Sequence, residues 1–435
     1  MRRERGTAFV VSLAVLAALV GVMAAVASTT RLDIKSAVNR NEVMKARMAC
    51  NSAIQRYIAT VAADYTGGAT TTSTTTSTTS QQTGATTLQD DWAQLGQNGD
   101  EKVTVGDTWF RMQVVDSSAY INTANLNQAW LNNLPVSQEQ IDAYLDYTSA
   151  GETPRPDGGK DQYYNALQVP YNAKLAPLDT LDELLNIRYF TAQSIWQPQT
   201  NVVSTVSFVA GTNGQQPSLA DLLTTYSYAP NVRPGALGQQ QPRINIANAN
   251  QAQVRALGLS ARTVSILFPN PPARRPTFTT LGALLRVVTN PQDQRIILDN
   301  FTTSGATKRP GLINLNTASQ NVLATIPNLT PDMVQAIIQQ QQQGLTSLSG
   351  VLSIPGFTGN VLANTIDNFT VESSTFNIRV IGYCGSASVA MEATVDIINN
   401  KPQLVRISEV PYTDVIGRWN WNADTSTETV LKEAS

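Results

Sequence analysis

The feature that most constrains this chain is an uncharged segment near its N-terminus. No Asp, Glu, Lys or Arg occurs between Arg5 and Arg31, and the segment is rich in Val, Leu and Ala. A run of this length can cross the hydrocarbon core of a bilayer as an α-helix. Because Arg2, Arg3 and Arg5 precede it, the positive-inside rule predicts a cytoplasmic N-terminus and a body on the far side of the membrane.

The helical pattern continues beyond the apolar run. No Pro or Gly occurs from Met23 to Tyr65, and apolar residues alternate with charged ones at helical spacing. These apolar residues are Ile34, Val38, Val43, Met44, Met48, Ile54, Tyr57, Ile58 and Val61. The pattern predicts one helix of roughly fifty residues, apolar first and amphipathic later. A signal peptide cleaved after Ala25-Val26-Ala27 and a plain single-pass anchor are the alternatives.

Composition narrows the possible functions. The chain has 435 residues, of which 14% are charged, and a net charge of −2. This length allows two or three domains, and the charge provides no basic field for nucleic acid. Histidine is absent, which removes Ser-His-Asp and Cys-His pairs and imidazole metal ligands, so we expect no enzyme. Cys50 and Cys384 can form one disulfide or remain thiols, and the sequence does not decide between them.

Strand-like patterns lie on both sides of a long middle section. Apolar and polar residues alternate in segments 103–114 and 376–397, and Asn399-Asn400 marks a turn before "PQLVRISEV". This predicts antiparallel strands with one solvent-facing side. The Thr- and Ser-rich stretch from Gly67 to Thr87 has too little apolar surface to pack, and we predict a loop there.

The middle section contains a repeat. "INIANANQAQVRALG" from Ile244 aligns without gaps to "INLNTASQNVLATIP" from Ile313, and "INTANLNQAWLNNLP" from Ile121 is a weaker third copy. Each copy is followed by a similarly spaced set of apolar residues. The sets are Leu178, Leu181, Leu184 and Leu185; Phe278, Leu281, Leu284 and Leu285; and Leu345, Leu348, Val351 and Leu352. The repeat predicts three helical units of one design between the two β-segments.

Two helix starts in these units carry capping signals. Thr330 followed by Pro331 predicts a helix N-terminus in the last copy. Thr180 together with Glu183 fits a capping box in the first copy. We expect the apolar stripes to form small helical cores and not a cofactor site.

The helical units resemble helix-hairpin-helix modules, many of which bind DNA through a Gly-apolar-Gly hairpin. The corresponding turns here are Asn328-Leu329-Thr330, Gly258-Leu259-Ser260 and Leu134-Pro135-Val136, none of which keeps both glycines. No Lys or Arg occurs from 312 to 377, whereas affinity for phosphates needs several cations. We therefore expect no nucleic-acid partner, and a membrane-anchored DNA receptor is an alternative.

The N-terminus itself resembles that of a type IV prepilin-like protein. A short basic leader ends in Gly6 and is followed by Thr7 and the long helix. The resemblance implies that a prepilin peptidase cuts after Gly6 and that Thr7 is then methylated. The fifth mature position, normally glutamate in that family, is Val11. A subunit without this carboxylate loses its pairing with the N-terminal amine of a neighbour, which suits a position at the tip.

The insertion in the first unit makes the resemblance more specific. The matching positions are Asp146, a Gly- and Pro-rich stretch, Asp161, Tyr163-Tyr164, Pro170-Tyr171, Asn172, Lys174, Pro177-Leu178 and Asp182-Glu183-Leu184. In this order they resemble general secretion pathway protein K, the large minor pseudopilin of type II secretion, and the Ile313–Ala318 motif belongs to the same pattern. The resemblance covers nearly the whole chain.

This resemblance implies an α+β fold: a pilin-like long N-terminal helix and an antiparallel sheet, interrupted by a large α-helical insertion of SAM-like, helix-hairpin-helix-like units. The implied segments are a leader at 1–6, a transmembrane and amphipathic helix at 7–64, a first β part at 65–118, the insertion at 119–367 with units at about 119–200, 243–290 and 312–367, and a second β part with the C-terminal tail at 368–435.

The resemblance also implies a role at the tip of a pseudopilus, where the protein initiates or caps assembly for export across the outer membrane. The implied partners are I- and J-type minor pseudopilins, the major pseudopilin, the inner-membrane assembly platform and the prepilin peptidase. The implied location is the bacterial inner membrane, with one span and the bulk of the chain in the periplasm. A minor tip pilin of a type IV pilus is the nearest alternative.

Calcium is the one cofactor that the resemblance suggests, since the family's helical domain can bind it through acids of this insertion. The candidate ligands are Asp146, Glu152, Asp157 and Asp161. Ligation by oxygen alone suits calcium and needs no histidine. Two expected acids are replaced here, one by Thr148 and the other by Lys160. Lys160 lowers the expected affinity by charge repulsion, and solvated loop acids are the alternative.

Overall fold

The structure is a computed structural model. It describes residues 4–66, 84–151, 153–199, 204–209, 216–234, 240–271, 273–411, 415, 419, 421 and 427–430. Most of the Thr- and Ser-rich stretch, and Glu152, lie outside these residues. The described residues form a long N-terminal helix, a six-stranded sheet and a helical insertion, which confirms the predicted α+β class.

The helices of the insertion are short, of about one to three turns. The α-helices are α1 (Glu4–Thr66), α2 (Asp91–Gln94), α3 (Gln128–Leu131), α4 (Gln138–Thr148), α5 (Asp161–Tyr164), α6 (Ala192–Trp196), α7 (Gln251–Ala256), α8 (Ala261–Leu267), α9 (Leu281–Val287), α10 (Pro291–Asn300), α11 (Gln320–Ala324), α12 (Pro331–Gln341) and α13 (Gly359–Thr365). The 3-10 helices are Leu95–Gly99, Ser117–Ala119, Thr123–Asn125, Leu181–Asn186, Leu219–Asp221, Leu348–Ser353 and Ile366–Asn368.

The strands are of two kinds, long ones in one sheet and pairs of two or three residues in the insertion. The strands are β1 (Glu101–Val105), β2 (Thr108–Asp116), β3 (Ile121–Asn122), β4 (Leu223–Thr224), β5 (Tyr228–Pro230), β6 (Val232–Pro234), β7 (Gln240–Pro242), β8 (Ile244–Asn245), β9 (Phe301–Thr302), β10 (Lys308–Pro310), β11 (Ile313–Asn314), β12 (Phe369–Thr370), β13 (Thr375–Cys384), β14 (Ala387–Ile398), β15 (Lys401–Val410) and β16 (Thr427–Val430).

The main sheet has the order β15-β14-β13-β2-β1-β16, antiparallel throughout except for the parallel β1–β16 pair. Asn399 and Asn400, with φ of 51° and 59°, make the predicted turn between β14 and β15. Two consecutive residues with positive φ match the right-handed twist of a hairpin. The antiparallel strands predicted from the alternation are therefore confirmed.

The helix α1 is continuous from Glu4 to Thr66, as the sequence pattern predicted. Its later part packs on the sheet through small or apolar residues that are fully buried. These are Ala46, Ala49, Cys50, Ala53, Ile54, Tyr57 and Val61. At Gly382 on β13 the contact is closest, since a Cβ there would lie 2.1 Å from the carbonyl oxygen of Ala46. Glycine therefore lets the helix backbone rest directly on the strand.

The insertion lies at one end of this sheet. The strands β2 and β13 are neighbours although the whole insertion separates them in sequence, and Phe376 pairs with Asp116 where the insertion begins and ends. The ring of Tyr57 lies 6.0 Å from that of Phe376, whereas the Glu42 carboxylate accepts a hydrogen bond from the Ser386 amide at the opposite end of β13. The insertion thus sits at the end of the sheet away from the apolar start of α1.

Each helical unit begins with a repeat head, a two-residue strand that pairs in parallel with a two-residue strand farther along the chain. Heads β3, β8 and β11 pair with β4, β9 and β12 respectively. In each head the Asn side chain accepts a hydrogen bond from the backbone amide two residues later. The repeated Ile-Asn therefore supplies a buried or half-buried strand residue followed by an Asx turn into the helices.

The two predicted helix caps have different outcomes. Thr330 caps α12 by accepting from the Met333 amide at 3.3 Å, with Pro331 in the first turn, so this prediction is confirmed. The capping box of Thr180 and Glu183 is wrong, because Thr180 makes no side-chain capping bond. The Glu183 carboxylate instead accepts from the Lys174 ammonium at 2.6 Å. A charge-assisted bond to lysine is stronger than a bond to a neutral amide.

The two cysteines are separate thiols, both buried. Cys50 lies under the sheet, where its Sγ is 3.3 Å from the carbonyl oxygen of Val389. Burial raises the pKa of Cys50 to about 12. Such a thiol remains protonated and unreactive at neutral pH.

Candidate functional site

The predicted processing site lies at the start of α1. Gly6 and Thr7 belong to its first turns, and Val11 is an exposed residue of the apolar part that follows. From Phe9 onward the helix is long and apolar enough to cross a membrane. This exposed apolar surface fits a single-pass anchor.

The predicted calcium ligand Asp146 is on α4 and is fully buried. Its carboxylate already has partners. The Arg155 guanidinium donates to Oδ1 at 2.6 Å, and the Arg155 backbone amide donates to Oδ2 at 2.9 Å. Gly158 covers the same group, since a Cβ there would lie 1.8 Å from Oδ2. Asp146 therefore anchors the loop that follows α4.

Lys160 occupies the place next to Asp146. Its ammonium donates to the backbone carbonyl oxygens of Asp146, at 2.6 Å, and Ser149, at 2.7 Å. These carbonyls belong to the C-terminal end of α4, where a helix exposes unpaired acceptors and attracts positive charge. The Lys160 ammonium is thus the positive charge at the C-terminal end of α4.

The other predicted ligands do not complete a metal site. Asp161 is exposed and its Oδ1 accepts from the Ala173 amide at 2.8 Å, while Asp157 is half-buried. Glu152 lies outside the described residues. Within the described ranges no group of three or more acids or cysteines forms a metal-binding arrangement. The side chains around Asp146 therefore do not fit a calcium ion, which takes six to eight oxygen ligands.

A second cluster joins the insertion to the sheet, and sequence reasoning missed its central residue. Asp116, at the end of β2, is buried. Its Oδ2 accepts from the Thr317 hydroxyl at 2.6 Å, the Ser373 hydroxyl at 2.7 Å and the Asn314 amide at 3.0 Å. Its Oδ1 accepts from the Ser118 backbone amide at 2.8 Å. We call these residues the Asp116 junction.

The Asp116 junction explains part of the repeat motif. Asn314 and Thr317 belong to the head of the third unit, and Asn314 also donates to the Thr86 carbonyl oxygen at 3.1 Å. Burial raises the pKa of Asp116, and the four donors oppose that rise. The only sequence signal was a carboxylate at the end of an alternating strand, directly before the first repeat head.

A third buried cluster contains Glu372, Arg243 and Arg309. Among the described residues, Glu372 Oε2, Arg243 Nε and Arg309 Nε are buried without hydrogen-bond partners. Burial raises the pKa of Glu372 to about 7, although both arginines oppose the rise. Burial likewise lowers the pKa of Arg309 to about 9. We call these three residues the Glu372 cluster.

The second and third units cap each other reciprocally. The Asp367 carboxylate of the third unit accepts from the Leu281 and Gly282 amides at the start of α9, at 2.8 and 2.9 Å. The Asp299 carboxylate of the second unit accepts from the Ser349 amide at 2.9 Å. Each unit thus satisfies orphan amides of the other, which locks the two together.

The Asp116 junction and the loop after α4 consist of groups that bind each other. Donors from the same chain occupy the Asp116 carboxylate, and Arg155 and Lys160 close the loop after α4. Such satisfied buried polar groups specify one geometry of the insertion on the sheet.

The comparisons with known proteins agree with this interpretation. Two family models, both for protein K of the type II secretion system (T2SS), match residues 115–202 and 313–372. The second match coincides with the third helical unit, from β11 through β12. No curated protein matches the chain significantly.

Among solved structures, the crystal structure of the GspK-GspI-GspJ complex from the type 2 secretion system of enterotoxigenic Escherichia coli matches with a TM-score of 0.46. The match covers 88% of this chain and 99% of the other, at 10% sequence identity. The family matches fall on the start of the insertion and on its third unit, in the expected order. These two segments of the chain are similar to protein K of the type II secretion system.

Proposed function

We propose that this protein is the minor pseudopilin at the tip of a type II secretion pseudopilus. The observation that carries the proposal is the position of the insertion. It sits at the end of the sheet away from the membrane-spanning start of α1, and the Asp116 junction holds it there. A subunit of this shape leaves no room for another one packed above it, so it begins or caps the filament.

The absence of a carboxylate at Val11 supports the same position. In prepilin-like proteins, a buried glutamate at the fifth mature position pairs with the N-terminal amine of a neighbour. A tip subunit has no neighbour above it, and valine there avoids an unpaired buried charge. We propose cleavage after Gly6, methylation of Thr7, insertion in the inner membrane and a periplasmic body.

The proposed partners are I- and J-type minor pseudopilins, as in the solved complex that contains GspK, GspI and GspJ. The major pseudopilin, the inner-membrane assembly platform and the prepilin peptidase complete the set. The proposed role is packing and contact, without catalysis and without nucleic acid. We also propose the division into leader, helix, two β parts and an insertion of three helical units.

The first test is mass spectrometry of the N-terminal peptide of the protein extracted from membranes of its native host. We expect a peptide that begins at Thr7 and carries one added methyl group. A peptide that begins after Ala27, or an intact Met1, contradicts the proposal. Either result leaves an ordinary signal peptide or anchor.

A variant test connects processing to secretion. We expect Gly6→Val to abolish cleavage and secretion, because the peptidase needs the glycine before the cut. Gly21→Ala is the matched control: it lies in the same helix, and its added Cβ meets nothing within 4 Å. Normal secretion by an uncut Gly6→Val protein contradicts the proposal.

The tip position has its own test. In cells, we expect chemical cross-linking to join this protein to I- and J-type minor pseudopilins, at a far lower copy number than the major pseudopilin. Immunogold labelling should mark one end of each pseudopilus. Labels along the whole filament contradict the tip position without affecting the family assignment.

A further inference from the structure

The loop from Ser149 to Lys160 differs from the rest of the insertion in the way that it is held. It leaves the C-terminal end of α4 and returns to α5, and the described contacts that close it involve charges. The family resemblance implies calcium ligands in this loop and at its two ends, whereas the geometry around Asp146 does not fit the ion. This disagreement points to a different means of closing the loop.

The Lys160 ammonium lies where a cation neutralises the end of α4. It donates to the carbonyl oxygens of Asp146 and Ser149 at 2.6 and 2.7 Å. Ser149 caps the helix, and its own amide donates to the Leu145 carbonyl oxygen. Carbonyl oxygens at a helix C-terminus can accept hydrogen bonds from an ammonium group or bind a metal ion. Here they accept hydrogen bonds from Lys160.

The Asp146 carboxylate is also occupied. The Arg155 guanidinium and backbone amide donate to its two oxygens, so the acid is satisfied by the loop that it closes. Close packing of Gly158 against Oδ2 leaves no space for an ion on that side. An ion entering here would have to displace Arg155 and approach the Lys160 ammonium, and the like charges oppose this.

A second lysine farther along the unit forms ion pairs instead. The Lys174 ammonium donates to the carboxylates of Asp179 and Glu183, both at 2.6 Å. The acids that follow the insertion loop are thus neutralised by a side chain of the same unit. Lys174 is also a matched control for Lys160, because it forms ion pairs but does not contact the end of α4.

We propose that the Lys160 ammonium, together with Arg155, replaces calcium in this chain and makes the insertion fold independently of that ion. The inference does not depend on the tip position. It concerns how the first helical unit of this chain is held. The ligand that it excludes is a divalent cation bound through Asp146.

The test uses the full-length protein extracted in detergent, with calcium chloride as the probe. We expect equal melting temperatures in EGTA and in excess calcium chloride, and no binding in a calorimetric calcium titration. A calcium-dependent rise in melting temperature, or saturable binding of one ion, overturns the proposal. This measurement on the unmodified chain decides the matter even where a variant does not fold.

Amide hydrogen exchange tests whether Lys160 holds the loop that follows α4. Lys160→Met should speed amide exchange in residues 149–161 about tenfold, because two charge-assisted hydrogen bonds are lost. Lys174→Met should leave exchange in that segment unchanged. Equal exchange in Lys160→Met and the unmodified protein overturns the proposal, as does calcium-dependent protection of the segment in the unmodified protein.

Discussion

The sheet makes one apolar contact, with α1, and one hydrogen-bonded contact, with the insertion. On its face, α1 rests on β13 through small apolar residues and Gly382, so close that a single added carbon would strike the Ala46 carbonyl. At its end, the insertion is joined through the buried carboxylate of Asp116 and its four donors. The first contact depends on shape and the second on hydrogen-bond pairing.

This difference has physical consequences. An apolar contact is non-directional and roughly proportional to the area that it buries, and its strength does not change with pH. A buried polar junction fixes the orientation of its parts, and any unpaired member costs free energy. The proposed tip position would use both properties, the apolar contact to hold α1 on the sheet and the polar junction to orient the insertion.

Nearby, the Glu372 cluster gives an internal contrast to the Asp116 junction. Both carboxyls are buried, and burial raises the pKa of each. Asp116 has four hydrogen-bond donors, whereas Glu372 Oε2 has none among the described residues. We expect Asp116 to stabilise the fold through its hydrogen bonds, and Glu372 to weaken the fold when the rising pH ionises its unpaired carboxyl.

The largest expected effect is on the Asp116 junction. Asp116→Ala should lower the free energy of unfolding by about 4 kcal/mol, because buried hydroxyl and amide donors lose their acceptor. Chemical denaturation at pH 7 measures this loss. Asp332→Ala, at an exposed position in the first turn of α12, is the control, and an equal loss in both variants contradicts the role of the junction.

The Glu372 cluster predicts a pH dependence. The folded pKa of Glu372, about 7, lies above that of an unfolded glutamate. The folded state therefore holds the proton longer, and stability falls as the pH rises from about 4.5 to 7. Between pH 4 and 8, Glu372→Gln should gain about 3 kcal/mol relative to the unmodified protein.

Thermal or chemical unfolding across that pH range checks this prediction. Asp332→Asn, which removes an exposed carboxyl of α12, is the control variant. The prediction fails if Glu372→Gln and the unmodified protein lose stability in parallel above pH 5. Such a result means that Glu372 is ionised in the folded state at low pH.

The apolar contact should respond to shape alone. Gly382→Ala should lower the free energy of unfolding by about 2 kcal/mol at every pH, because the new Cβ forces α1 away from β13. Gly305→Ala is a matched control, since its Cβ would lie 3.8 Å from the nearest atom. Unfolding at pH 5 and pH 8 tests whether the loss is independent of pH.

The smallest expected effect removes one donor from the Asp116 junction. Thr317→Val keeps the shape of the side chain but loses the 2.6 Å hydrogen bond to Asp116. We expect a loss of about 1 kcal/mol, since three other donors still reach the carboxylate. A loss as large as that of Asp116→Ala contradicts the view that the four donors stabilise the Asp116 carboxylate jointly.

Local sequence patterns predicted the parts of the fold that depend on interactions between residues close together in the sequence. The continuous helix α1, the alternating strands, the Asn399-Asn400 turn and the Thr330 cap all follow from periodicity and turn chemistry over a few residues. The same local reasoning failed at Thr180 and Glu183. There, Lys174 reached the carboxylate and removed the capping box.

The candidate sites likewise include features that the sequence predicts and contacts that only the structure shows. The apolar helix and the order of the repeats can be identified in the sequence, because they are contiguous or periodic, and the leader ending at Gly6 is a prediction from the same stretch. The sequence also placed Lys160 beside the acids of the insertion loop and predicted its repulsive charge. It did not show that the lysine binds the end of α4, since that contact depends on the path of the loop.

By itself, the sequence predicted a long apolar N-terminal helix and three similar helical units between strands. Only the tertiary structure decided how these parts are joined, because their contacts connect residues far apart in the chain. Asp116 meets residues some 200 positions later, at a separation of 201 for Thr317. These contacts join residues that only the tertiary fold brings together, and no local propensity encodes them.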